Sequence, residues 1–262
     1  MVINDIPREE RLVLLKKYAQ YDVRRQESDY NYALALNGYL PKILEEYHYS
    51  EFIEGINKYS DAFVFKLLEF VSTNFIHSEE VELPQYRRMV DIIEASKLDG
   101  GRTNSRGLSI ILAELLRINR IKARHVTCKP FEDPCLDCHV VVDCILPSGQ
   151  RIMLDPTYNL YLKNGSDRYV SLKKLREGII AGNKFIPNPN ASYNGGACDF
   201  DEYLSQMVKN SIRFTSNIVL GDVHIENDLS EIELIPACYP TNGFPHNKRF
   251  VYNLDKFWNI GL

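Results

Sequence analysis

Residues 100–158 read GGRTNSRGLSIILAELLRINRIKARHVTCKPFEDPCLDCHVVVDCILPSGQRIMLDPTY, and most of a reactive centre is legible in that one stretch. Gly100 and Gly101 break the preceding helix, Thr103 and Asn104 are good N-cap residues, and Leu108, Ile111, Leu112 and Leu115 recur at helical spacing. Ser105 therefore falls in the first turn of a buried helix. Backbone N–H groups without acceptors and the positive end of the helix dipole favour a developing negative charge there. A second capping hydroxyl would look the same, so the helix alone does not give Ser105 a role.

The strands after the helix change the odds. IKARHVTC (121–128) is strand-like, and DCHVVVDCILPSGQRIMLDPTY (137–158) reads as two strands joined by a Pro-Ser-Gly turn. His139 starts one strand and Asp155 ends the next. A reactive side chain at a helix start, a histidine on a strand and a carboxylate on the neighbouring strand have the general form of nucleophile, base and orienter. Register then becomes decisive. A four-residue loop over 147–150 would pair Leu146 with Arg151 and set Asp155 opposite Val142, on the face away from His139. A shift of one residue, by a five-residue loop or a bulge, sets Asp155 opposite Val141 and diagonal to His139, within reach of the imidazole.

On these residues the chain resembles the transglutaminase-like superfamily of papain-type fold. The resemblance covers residues 100–160 and rests on Ser105 at the helix start, the strand Ala123-Arg124-His125-Val126, His139 and Asp155-Pro156. It implies an α+β fold in which a helical N-terminal part leads into a nucleophile helix packed on an antiparallel sheet. It also implies acyl transfer or hydrolysis at a glutaminyl or peptide amide, with Ser105, His139 and Asp155 as the catalytic residues, no cofactor and no metal. Substrates would be peptide, protein or small-molecule amides. The chain departs from the family at two places. Serine stands at 105 where the family has cysteine, which implies a form inactivated by that change, and Arg120 stands where the family usually has glycine. The alternative is a catalytically inactive binding protein of the same fold.

Composition bounds the rest. A chain of 262 residues, 45% hydrophobic, is long enough for a sizeable core, and 31 basic against 35 acidic residues give a net charge of −4. No global field of that size draws the chain to nucleic acid or to an anionic membrane. MVINDIPREERLVLL has acidic residues before any apolar run and lacks the form of a signal peptide, so a cytoplasmic protein with free thiols is expected.

We expect a single domain over 1–262, with a helical part (1–99), a catalytic core (100–160) and a C-terminal extension that closes the fold (161–262). Helical periodicity is read over 7–24, 29–46, from Ser60-Asp61 through Val71, over 85–97, from Ser171 to Gly182, and over 199–211. Tyr18, Tyr21, Tyr30, Tyr32 and Tyr39 fit core and rim better than a substrate groove. The loop NKFIPNPNASYNGGACD (183–199) is either a lid or a surface connection. The runs 216–226, 230–240 and 248–258 suggest a closing antiparallel piece.

Asp133-Pro134-Cys135-Leu136-Asp137-Cys138-His139 invites rival readings. Haem attachment through Cys-x-x-Cys-His fits poorly, because the histidine leads straight into a valine strand. A zinc deaminase would combine Pro134-Cys135-x-x-Cys138 with His77-x-Glu79, but that chemistry wants a helix after the cysteines. A structural zinc site of Cys128, Cys135, Cys138 and His139 fails on strand geometry, since adjacent residues 138 and 139 point to opposite faces.

Overall fold

The computed structural model of the chain describes residues 6–27, 33–34, 40–135, 137–217, 219–220, 231–241 and 249–259. Helix α1 (Arg8–Lys17) carries Glu9 and Glu10 in its first turn and Lys16 and Lys17 in its last, each on the favourable end of the dipole. It stops well short of residue 24, because Tyr18 turns inward onto Phe131 and Tyr239, with ring centroids 5.0 and 6.0 Å away. The expected helix over 29–46 is not there among the described residues. Ala33–Leu34 is a short strand parallel to Val219–Leu220, and only Lys42–Tyr47 winds, as a 3-10 turn behind Pro41. A proline fixes its own φ and lacks the N–H that a continuous helix would need at that point. Tyr30, Tyr32 and Tyr39 lie outside the described residues.

Helix α2 (Asp61–Asn74) buries Phe63, Val64, Leu67, Leu68 and Val71, the face that its spacing predicts. Helix α3 (Met89–Leu98) starts four residues later than the periodicity suggests, after an extended Arg88. Helix α4 (Ser105–Ile118) is buried almost all round. It ends in a Schellman turn: Arg120 N–H donates to Arg117 O at 2.8 Å and Ile121 N–H to Leu116 O at 3.0 Å, with Arg120 left-handed at φ 62°. The chain has to reverse here into the first sheet strand, and a left-handed residue does this within two positions.

Eight strands form the main sheet: β1 (Ala123–Lys129), β2 (His139–Ile145), β3 (Arg151–Asp155), β4 (Leu160–Asn164), β5 (Phe185–Pro187), β6 (Arg213–Asn217), β7 (Glu231–Leu234) and β8 (Phe250–Val251). Their order is β8-β7-β6-β1-β2-β3-β4-β5. The fold is α+β, but the sheet is mixed rather than wholly antiparallel, since β8 pairs parallel with β7. The run 248–258 thus contributes a two-residue strand and helix α7 (Leu254–Trp258). No helix is long and apolar enough to cross a membrane among the described residues.

Strand alternation gives the sheet two buried faces. Val142, Cys144, Ile152 and Leu154 pack under α2, α3 and α4. Val126, Val141, Met153 and Leu160 face the other way, toward α1, α5 (Leu172–Ala181) and α6 (Phe200–Lys209). Ser171 caps α5 and left-handed Gly182 ends it, as the sequence indicates.

Candidate active site

Asn104 fixes the start of α4 twice over. Its side-chain oxygen accepts the Gly107 N–H at 3.0 Å, and its amide nitrogen donates to Val81 O at 2.9 Å, which ties the acidic segment before α3 to the helix. Gly107 leaves no room for a side chain. A Cβ there would stand 2.1 Å from Thr103 Oγ1 and 2.9 Å from Leu83 Cδ2. Ser105 is consequently the first helical residue, 4% exposed, at the wall of a cavity of about 430 Å³ that Glu79, Asn104, Arg106, Asp137, Cys138 and Val140 also line.

The register of the β2–β3 hairpin is the shifted one. Ile145 pairs with Arg151, Asp143 with Met153 and Val142 with Leu154, around the five-residue loop 146–150. One more step along the ladder brings Asp155 opposite Val141, diagonal to His139. Their side chains meet there, His139 Nε2 lying 2.6 Å from Asp155 Oδ2, and both residues are buried, at 1% and 0% exposure. The other carboxylate oxygen accepts the Thr157 N–H at 3.0 Å, so the turn after β3 holds Asp155 in place. Tyr158 and Tyr203 present ring edges to the imidazole, at 5.9 and 6.4 Å between centroids. Burial opposes protonation of His139, but the Asp155 charge and hydrogen bond outweigh it and raise its pKa.

One imidazole atom is left over. His139 Nδ1 is buried and has no hydrogen-bond partner, and Ser105 does not bond to it in this structure. Yet Cys138 and Val140, the residues on either side of His139, share the cavity wall with Ser105. His139 and Asp155 are joined directly but are not among the residues that line that cavity, and strand alternation points the His139 side chain to the face opposite Cys138 and Val140.

The loop after α5 docks beside this pair. Asn194 bonds both backbone groups of His77, accepting its N–H at 2.8 Å and donating to its carbonyl at 3.1 Å. Tyr193 stacks near Tyr158, ring centroids 5.3 Å apart, and its hydroxyl lies 3.1 Å from His77 Nδ1. His77 Nε2 in turn lies 3.2 Å from a Glu79 oxygen, and the hydrogen bond to His77 holds the Glu79 carboxyl below its ordinary pKa. Tyr158, Tyr193 and Tyr203 are the site neighbours that sequence reasoning did not find, whereas His77-x-Glu79 stands out in the sequence only as part of the zinc reading. The DPTY run placed Tyr158 three residues after Asp155; Tyr193 and Tyr203 carry no local signal.

The residues of the two zinc readings do not converge. His77 is engaged with Tyr193 and Glu79, Cys128 is in the core, and among the described residues no three histidine, cysteine or acidic side chains are disposed to hold a metal.

No family model matches the chain, and no curated protein matches it. Among solved structures it is similar to a "putative cysteine protease" from Cytophaga hutchinsonii (17% identity, TM-score 0.35, 73% of this chain). It is also similar to a "putative protease" from Parabacteroides distasonis (14% identity, TM-score 0.31, 71% of this chain). The chain spans 55% and 31% of the length of those two proteins. Likeness at that level does not place the chain in a family.

Proposed function

We propose that the chain is a transglutaminase-like enzyme of amide acyl transfer or hydrolysis, with position 105 as nucleophile, His139 as general base and then acid, and Asp155 as the residue that orients the imidazole. The observation that carries this reading is the buried His139–Asp155 pair at 2.6 Å whose remaining ring nitrogen has no partner. With Nε2 held by the carboxylate, Nδ1 is the atom left to take a proton from a nucleophile and return it to a leaving amine. The first-turn N–H groups of α4, which a helix leaves without intrahelical acceptors, would bind the oxyanion of the tetrahedral intermediate. The raised pKa of His139 suits an imidazolium, which is the partner that a thiolate at position 105 would have.

A serine at 105 fits that machinery badly, because an alcohol stays protonated until the moment of attack. Ser105 and its lack of a bond to His139 favour a second reading, a binding protein that keeps the fold without catalysis. Ser105→Cys separates the two. Incubated with glutaminyl peptides and an alkylamine, the variant is expected to form a thioester at position 105 with loss of ammonia, visible by mass spectrometry, while the serine form does not. No covalent intermediate from any amide or ester would leave the binding reading standing.

A further inference from the structure

The loop that leads into β2 carries two thiols that take no part in acyl transfer. Cys135 and Cys138 are both free and half-buried, whereas Cys128 and Cys144 are sealed in the core. They stand three positions apart in a Cys-x-x-Cys run, and each thiol shifts the proton affinity of the other. Cys138 also lines the 430 Å³ cavity, with Arg106 and Glu79 in the same wall. We propose that Cys135 and Cys138 form a redox-active dithiol, with Cys138 as the attacking thiolate and Cys135 as the resolving thiol. Its substrate is a low-molecular-weight disulfide that enters the cavity Ser105 lines.

The charges around Cys138 come from several elements. Arg106 faces it from α4, Lys129 from β1 and His139 from β2, while Asp137, in the same wall, is paired with Lys209 of α6, and Glu79 with His77. Cys135 does most to pull the Cys138 thiol down to about 6; Arg106, Lys129 and His139 assist, and burial opposes them. Cys138 in turn pushes the Cys135 thiol up. The shared proton thus resides on Cys135, and Cys138 is largely thiolate at neutral pH.

The Cys138 thiolate attacks one sulfur of the substrate disulfide; its S–S bond breaks, one thiolate leaves, and a mixed disulfide forms. Cys135 loses its proton to solvent and attacks the Cys138 sulfur. This releases the second thiolate and closes a Cys135–Cys138 disulfide. Two protein thiols are oxidised and one disulfide is reduced to two thiols. The reaction uses no amide and passes no proton through His139, whose charge only assists the Cys138 thiolate, so it is tested apart from the acyl-transfer reading.

The test uses the full chain, alkylated with iodoacetamide across pH and mapped by peptide mass, with oxidised glutathione as the disulfide. The expected result is a Cys138 alkylation midpoint well below the ordinary thiol value of about 8.5, moved back toward it in Cys135→Ser. Oxidised glutathione should remove two hydrogens from the peptide that holds both cysteines and release two glutathione thiols per chain. Cys138→Ser, which keeps the loop if Cys135→Ser does not fold, should abolish that disulfide. An ordinary midpoint at Cys138, or glutathione left as a mixed disulfide while Cys135 stays open to alkylation, would overturn the proposal.

Discussion

Asp143 and Asp155 are both fully buried carboxylates on neighbouring strands of one sheet, and the fold holds them in opposite ways. Asp143 on β2 is enclosed by guanidinium groups. Arg151 Nε donates to one oxygen at 2.7 Å and Arg124 Nε to the other at 3.1 Å, with a second bond from Arg151. Those arginines reach on to the carbonyls of Phe257 and Trp258 and lie near their rings, which pins α7 to the sheet. Asp155 on β3 accepts a backbone N–H and meets an imidazole, with the Tyr203 phenol close by, and that imidazole ends in a nitrogen with no partner. A buried charge enclosed by opposite charges serves the fold. One that leads to a buried polar atom without a partner is disposed for proton transfer.

The largest expected effect lies on the enclosed side. Asp143→Ala leaves two guanidinium groups without their carboxylate, one of them wholly buried, and should cost about 3–5 kcal/mol in urea unfolding. Asp155→Asn keeps the shape of its site and should cost clearly less. Equal losses would erase the distinction drawn between the two aspartates.

The two sites should also differ in the sign of their pH dependence. Burial pushes the Asp143 carboxyl up, but Arg151 and Arg124 more than reverse this and depress its pKa below 3.8. Its contribution is present above the unfolded pKa and is lost as pH falls through the lower folded value. His139 runs the other way. Its pKa is raised above 6.5, so its contribution is complete below the unfolded pKa and is lost as pH rises through the folded one. Unfolding measured across this range should therefore show stability falling on the alkaline side of pH 6.5, and His139→Gln should flatten that slope. An unchanged slope would mean that the Asp155 charge does not hold the imidazolium.

A smaller effect concerns the turn that delivers β1, and with it Arg124, to the sheet. Arg120 is left-handed, at a cost of roughly 1 kcal/mol relative to glycine. Arg120→Gly should recover about that much in the same unfolding measurement; a loss would mean that the arginine side chain contributes more than its backbone conformation costs.

The elements that the sequence made legible are those whose signals are local. HVVVDCI and RIMLD are β-branched or apolar runs bounded by a Pro-Ser-Gly turn, and the requirement that His139 and Asp155 meet anticipates the five-residue loop that the chain adopts. Asn104, Gly182 and the face of α2 were readable for the same reason. What was not readable depends on distant contacts. The tyrosine-rich periodicity before Pro41 looks helical until Ala33–Leu34 finds Val219–Leu220, 186 positions along the chain. Nothing near residue 193 announces Tyr158 or His77, because Asn194 and Tyr193 reach His77 across 117 and 116 positions of sequence. The mixed edge of the sheet is of the same kind, since a parallel pair needs a crossover that alternation alone cannot indicate.

The central claim, that the open nitrogen of His139 serves position 105, is tested most directly by Ser105→Cys treated with iodoacetamide across pH, beside a control that also carries His139→Ala. Peptide mapping separates the thiol introduced at 105 from Cys138. Alkylation at 105 with a midpoint well below about 8.5, lost in the control, is the predicted result, as a thiolate–imidazolium pair requires. A thiol at 105 that titrates in the ordinary range with or without His139 would contradict it.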